Sequence, residues 1–168
     1  AIAIVFIPQL VSEGSPKPTS EIPSEVMYKG STMTFEVIAK RNELQFKVVP
    51  GSALQGDDAL RFVVTTSSAG YLSVFSIDEQ YRVSPFYPDS ALDEDAAPMN
   101  LETSGRHELP GSIVLDDVSG DEYYVVVFSS DMFDRREIHR RIRQGFLDGQ
   151  VEMQPQPGLA IQSIRVEK

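Results

Sequence analysis

Residues 59–88, ALRFVVTTSSAGYLSVFSIDEQYRVSPFYP, decide the architecture. Leu60, Phe62 and Val64 alternate with Arg61, Val63 and Thr65, the period of two that buries one face of a strand. Ser67-Ser68-Ala69-Gly70 breaks the pattern, and Tyr71 to Ile77 resumes it. Asp78-Glu79-Gln80 reads as a polar turn, and Tyr81 to Tyr87 as a third strand stopped by Pro88. Short turns between consecutive strands predict an antiparallel meander at the centre of a sheet.

Upstream, Thr34–Ala39 and Leu44–Val49 read as two strands around the polar turn Lys40 to Glu43. Downstream, an acidic loop runs from Asp89 to Asn100, and a short strand is interrupted at Pro110-Gly111. A second acidic turn, Asp116 to Asp121, leads into Glu122–Phe128 (EYYVVVF). Its unbroken apolar run requires cover on both faces and places it mid-sheet. One helix is expected after Asp134. Asp134 is its N-cap, Glu137 completes a capping-box spacing, and Phe133 and Ile138 are spaced as a staple. Ile138, Ile142 and Phe146 form its apolar stripe, and Gly145 or Gly149 its end. Leu159–Val166 is a closing strand. Eight or nine strands and one helix in the C-terminal half predict an antiparallel β-sandwich, immunoglobulin-like or a flattened barrel. The helix is expected over an open end or edge. The sheet edges must be covered or charged to avoid pairing with other chains.

The 168 residues are enough for one domain with extensions, and a net charge of −10 excludes the dominant basic surface of a nucleic-acid binder. With no cysteine, disulfides, thiol nucleophiles and zinc–thiolate sites are excluded. Ala1–Ile7 is an unbroken apolar run, followed by Pro8 and then Leu10-Val11. It is shorter than the ~20 residues of a spanning helix. Three readings fit: the end of a transmembrane or signal-anchor helix that starts upstream, the tail of a signal-peptide core, or a buried strand. The chain opens on Ala rather than Met, and the working expectation is the anchor, over residues 1–11. Residues 12–27 hold three Pro and four Ser, the composition of an exposed linker, and residues 28–168 form the sandwich.

No catalytic machinery is legible. His107 and His139 are the only histidines and read as solvated surface groups, and no Gly-x-Ser-x-Gly elbow is present. Asp93-Glu94-Asp95 and Asp116-Asp117 lack calcium-loop spacing, and no phosphate-cradling glycine motif occurs. No cofactor is expected. Tyr81, Phe86 and Tyr87 are candidates for a ligand groove, with core packing the favoured reading. The distinctive feature is RREIHRRIR at 135–143. Its five Arg against one Glu give a local charge of +4 and leave −14 for the rest of the chain. The favoured reading pairs Arg135, Arg136, Arg140, Arg141 and Arg143 with acidic loops of the same domain. The sharper one places them against anionic lipid headgroups or an acidic partner.

Several short motifs occur in a fixed order. They are Lys29-Gly30, Gly56-Asp57 before Leu60-Arg61-Phe62, Gly70-Tyr71, Phe86-Tyr87-Pro88, and Leu109 to Asp116 (LPGSIVLD) followed by Gly120 and Glu122. Over residues 28–145 the chain resembles an uncharacterised bacterial extracytoplasmic domain. In myxobacteria and relatives that domain often follows a zinc-finger anti-sigma-like segment and a single transmembrane helix. A looser version accompanies caspase-like and repeat proteins. The family carries no established activity, so the resemblance implies a location and no catalytic residue. The segment after Gly149 departs from the family pattern. The expectation is a noncatalytic, membrane-tethered module on the periplasmic side of the bacterial inner membrane, contacting a protein partner, either as accessory subunit of a membrane complex or as sensing domain of an anti-sigma-like regulator. A periplasmic small-ligand binder, or a hydrolase, is the alternative.

Overall fold

The computed structural model describes residues 26–28, 31–50, 52–88, 96–116, 120–147 and 157–167. In chain order the first strands are β1 (Val26–Tyr28), β2 (Ser31–Arg41), β3 (Leu44–Lys47), β4 (Ala59–Thr66) and β5 (Gly70–Ile77). There follow β6 (Val83–Tyr87), β7 (Met99–Leu101), β8 (Gly105–Glu108), β9 (Ile113–Val114) and β10 (Asp121–Ser129). Helix α1 (Arg135–Leu147) and β11 (Ala160–Glu167) complete the set. Sheet I runs β1-β2-β4-β8, with β3 on β2 and β9 on β4. Sheet II runs β11-β10-β5-β6, with β7 on β5. Every pairing is antiparallel. The molecule is therefore the expected β-sandwich, with eleven strands among the described residues rather than eight or nine, and neither sheet closes into a barrel among them.

The sheets face each other across a core fixed by register. Phe35 pairs with Val64 and Val37 with Phe62, which points all four inward. From sheet II, Leu72, Val74, Tyr124, Val126 and Phe128 meet them. Phe62 lies at the centre of an aromatic cluster, 4.8 Å from Tyr124, 5.3 Å from Phe86 and 5.9 Å from Phe35 between ring centroids. Such contacts add about 1 kcal/mol per pair beyond area burial.

The three-strand meander does not form. β4 belongs to sheet I, whereas β5 and β6 form a hairpin in sheet II, so the chain changes sheets at Ser67–Ala69. Alternation of apolar residues records which face is buried but not which sheet a strand joins. The crossing is held at both sides. Ser67 N–H donates to Thr32 O and Thr32 N–H to Ser67 Oγ (3.0 and 2.8 Å), and Gly70 lies where a Cβ would come within 2.3 Å of Ser129 O. Only glycine lets the backbone pass that close to β10.

A third layer covers sheet II. Asp134 caps α1 through Oδ1, which accepts from Arg136 N–H (2.9 Å), while Ile138 N–H donates to Asp134 O (3.2 Å). Ile138, Ile142 and Phe146 are buried against Phe75, Ile77, Val125 and Val127. The helix thus lies on the outward face of sheet II and not over the open end or edge expected from the tally of eight or nine strands to one helix. β10, buried between core and helix and paired on both sides, is the doubly covered strand its apolar run predicts. The helix continues through Gly145 to Leu147, and Gly149 lies outside the described residues.

Candidate functional site

The five helix arginines divide by face. Arg135 is only 3% exposed. It stands three residues before Ile138 and seven before Ile142, so helical geometry turns it toward the sheet with them. Its guanidinium carbon lies 5.8 Å from the Phe75 ring centroid, and Nη2 donates to Pro88 O (3.3 Å). Arg135 is accordingly no part of an exposed contact surface. Arg136, Arg140, Arg141 and Arg143 are exposed, and Arg141 pairs with Glu137 one turn away on its own helix. The acidic residues 89–95 and 117–119 lie outside the described residues.

Two depressions flank the helix, and each is bordered by both signs of charge. Asp131, Asp134, Glu137 and Arg141 border one of about 290 Å³ that Ile138 and Leu159 also line. Asp134, Arg135 and Arg136 border a smaller one of about 160 Å³ beside Ala96–Pro98. The β5–β6 turn, which meets the helix through Tyr81 and Phe146, is organised by Asp78. The Asp78 carboxylate accepts from Gln80 N–H (3.0 Å), Arg82 N–H (2.9 Å) and Arg82 Nε (2.6 Å). Burial alone would raise its pKa, but these bonds outweigh burial and hold it below the usual carboxylate range. The turn displays Tyr81, half exposed and in left-handed backbone (φ 59°), with its ring 6.4 Å from that of Phe146.

Neither histidine is the solvated group its sequence context suggests. His139 Nε2 donates to Val83 O (3.0 Å), tying α1 to the edge strand β6, and its ring lies 6.2 Å from Phe75. His107 Nε2 donates to Thr103 O (3.0 Å). Both side chains are half-buried and bonded to backbone carbonyls. The three candidate groove aromatics separate: Phe86 and Tyr87 pack into the inner core, and Tyr81 alone stays at the surface. Tyr124, fully buried, is held above the ordinary phenol range by burial and by the neighbouring Glu122, so it remains a neutral phenol. Among the described residues no cluster of three or more His, Asp or Glu is arranged to hold a metal ion.

Sequence reading missed a buried ion pair. Asp58 is fully buried at the start of β4, where Arg41 Nε and Nη2 donate to its two oxygens (2.7 and 2.6 Å) and Gln55 N–H adds a third bond (2.9 Å). The bidentate Arg41 contact holds the carboxyl below its usual range despite burial. Arg41 also reaches Ala53 O (2.9 Å) and covers the Phe46 ring at 5.6 Å. Adjacent to it, Asp57 N–H donates to Leu115 O and Leu115 N–H to Asp58 O, both at 2.9 Å, while Leu109 N–H donates to Phe62 O (2.9 Å). The LPGSIVLD string is therefore structural. It stitches β9 and the residues beside it onto β4 and closes one end of the sandwich.

Compared with family models, curated proteins and solved structures, the chain matches none. What the fold and the surface define together is a three-layer β-sandwich with an arginine-bearing outer helix.

Proposed function

We propose that this chain is a noncatalytic module tethered to the periplasmic side of a bacterial inner membrane and working through protein contact. The observation that carries the reading is the order of segments: an apolar run at residues 1–11, a Pro/Ser-rich stretch, and then a folded sandwich whose first described strand is Val26–Tyr28. Residues 1–11 lie outside the described residues, and no helix among the described ones is long and apolar enough to cross a membrane. The resemblance to an extracytoplasmic domain supports the same side of the membrane. As accessory subunit of a larger complex, or as sensing half of an anti-sigma-like regulator, the module offers a rigid body with exposed cations on α1.

Fractionation of cells expressing the full chain tests the tether. Retention in the membrane pellet through an alkaline carbonate wash, with the domain open to protease from the periplasmic face, is the expected result. Full release by the wash overturns it. Cross-linking in membranes followed by purification tests the partner, and recovery of a lone monomer argues against a stable complex. A thermal-shift screen with sugars and peptides tests the ligand-binding alternative, for which a saturable shift is required.

A further inference from the structure

We infer that the β5–β6 turn is a docking site for an arginine side chain of a partner protein, with the Tyr81 ring as platform for the guanidinium and the Glu79 carboxylate as its counter-ion. This deepens the protein-contact reading and rests on it, adding the face that is used and the chemistry of the partner.

Residues 78–82 join β5 to β6. Tyr81 N–H donates to Asp78 O (2.9 Å), closing a turn over Glu79 and Gln80, and Tyr81 then takes left-handed backbone (φ 59°). In such a connection the left-handed position ordinarily falls to glycine. The other non-glycine residues with positive φ among those described are Asn42 and Asp57, two types that tolerate it. Folding alone therefore favours a small or Asx residue at 81, and the chain places an aromatic ring there. The bonds that hold the turn run from Asp78 to the Gln80 and Arg82 backbone and to the Arg82 side chain, so they do not need that ring. Its ring contact is with Phe146 (6.4 Å), and half of the residue stays exposed. Strain kept at an exposed side chain points to a use for that side chain.

The charges around the ring select the partner. Glu79, Gln80, Tyr81 and Arg82 are all exposed. Glu79 Oε1 accepts from Gln80 Nε2 (2.9 Å), and Oε2 rests against bare backbone, 2.8 Å from where a Cβ on Gly120 would stand. No ion pair of Glu79 occurs among the described residues. Arg82 is committed to Asp78 (2.6 Å), and Arg165 to both Asp121 (2.6 Å) and Glu167 (3.3 Å). The last turn of α1, which brings Phe146 to Tyr81, holds no basic residue to offset the partial negative charge of its carbonyl end. A guanidinium meets both features at once: its plane stacks on an aromatic face, and its edge N–H groups donate to a carboxylate. An anionic group is repelled by Glu79 and by a net charge of −10. A purely apolar group would cover the carboxylate without pairing it.

NMR titration of the full chain, in a neutral detergent, with the peptide acetyl-Gly-Arg-Gly-Arg-Gly-amide tests the inference. Saturable shifts centred on the amides of Gln80, Tyr81 and Arg82 are expected, weakening as salt is raised. The same peptide with citrulline for arginine keeps the shape, loses the charge, and is expected to bind about tenfold more weakly. Tyr81→Asn is expected to weaken binding about fivefold, with an unfolding midpoint that is unchanged or higher, and Tyr81→Phe to keep it. Glu79→Gln is expected to weaken it about threefold. Glu43→Gln, an exposed carboxylate on the β2–β3 turn, is expected to change it by less than about 1.5-fold. A lower midpoint in Tyr81→Asn with unchanged affinity overturns the inference, the ring then being packing for Phe146. Equal binding of the citrulline peptide overturns the guanidinium as the group recognised. Shifts spread evenly over the acidic surface, an equal loss in Glu43→Gln, or no saturable shift overturn the site. These readouts depend neither on the tether nor on recovery of a complex. Their failure leaves the membrane-tethered reading standing, and release of the chain by the carbonate wash leaves the arginine site standing.

Discussion

On the outward face of sheet II, Phe75, Ile77, Val125 and Val127 stand beneath α1 and are buried. On the outward face of sheet I, Glu36, Lys40, Arg61, Arg106 and Glu108 stand in water, with Arg61 and Arg106 both near Glu108 at 4.0 and 3.0 Å. The backbones are alike, and the difference lies in what each sequence leaves for its second face. Apolar residues on this side include Ile38 and Val63, and Val63, flanked in register by Glu36 and Glu108, is 1% exposed. The aliphatic stems of its neighbours cover it while their charges stay hydrated. The third layer is thus built over a contiguous apolar patch of sheet, and long charged side chains suffice where apolar residues are interspersed with charges.

The contrast can be broken most severely at the helix. Ile142→Ala is expected to cost about 3 kcal/mol, measured by urea unfolding, because it opens a cavity between α1 and sheet II. A loss below about 1 kcal/mol would mean that the helix contributes little to the stability of its sheet. At the end of the polar sheet, Asp58→Asn is expected to cost about 2 kcal/mol, since it weakens three hydrogen bonds at a buried site. The Asp58 carboxyl is held below its ordinary range, so its contribution is complete above the unfolded value of about 4 and is lost as pH falls through the lower folded value. Stability measured against pH should therefore lose part of its acid limb in the variant, and an unchanged limb would remove Asp58 from the titration. Asp134→Ala is expected to cost about 1 kcal/mol by releasing the first turn of α1. Glu108→Gln, on the exposed network of sheet I, is expected to change stability by less than about 0.5 kcal/mol. A large loss there would show that the two faces are more alike energetically than their exposure suggests.

Much of this contrast can be read from the chain itself. Ile138, Ile142 and Phe146 repeat with helical spacing, and EYYVVVF has no polar face, so a doubly covered strand and one amphipathic helix follow directly. What joins them does not follow. Nothing in the period of Leu60, Phe62 and Val64 says that the next strand will cross to the opposite sheet, because the constraint is steric and lies at Gly70 against Ser129. The Arg41–Asp58 pair escapes notice for a related reason: its members are distant in sequence, and Asp58 sits in a Gly-Asp-Asp turn that reads as solvated. Arg135 was legible in principle, since its spacing from Ile138 and Ile142 places it on the buried face, but counting arginines as one cluster hides that.

The sheet rims have a consequence for life at high density. β6 carries Pro85 in mid-strand and gives its Val83 carbonyl to His139, while β8 is a four-residue strand with Arg106 and Glu108 on it, soon followed by Pro110. Where copies jostle sideways in close quarters, such borders deny an incoming strand a continuous row of donors and acceptors to copy. At these two rims a neighbouring copy therefore finds little to extend into a fibril.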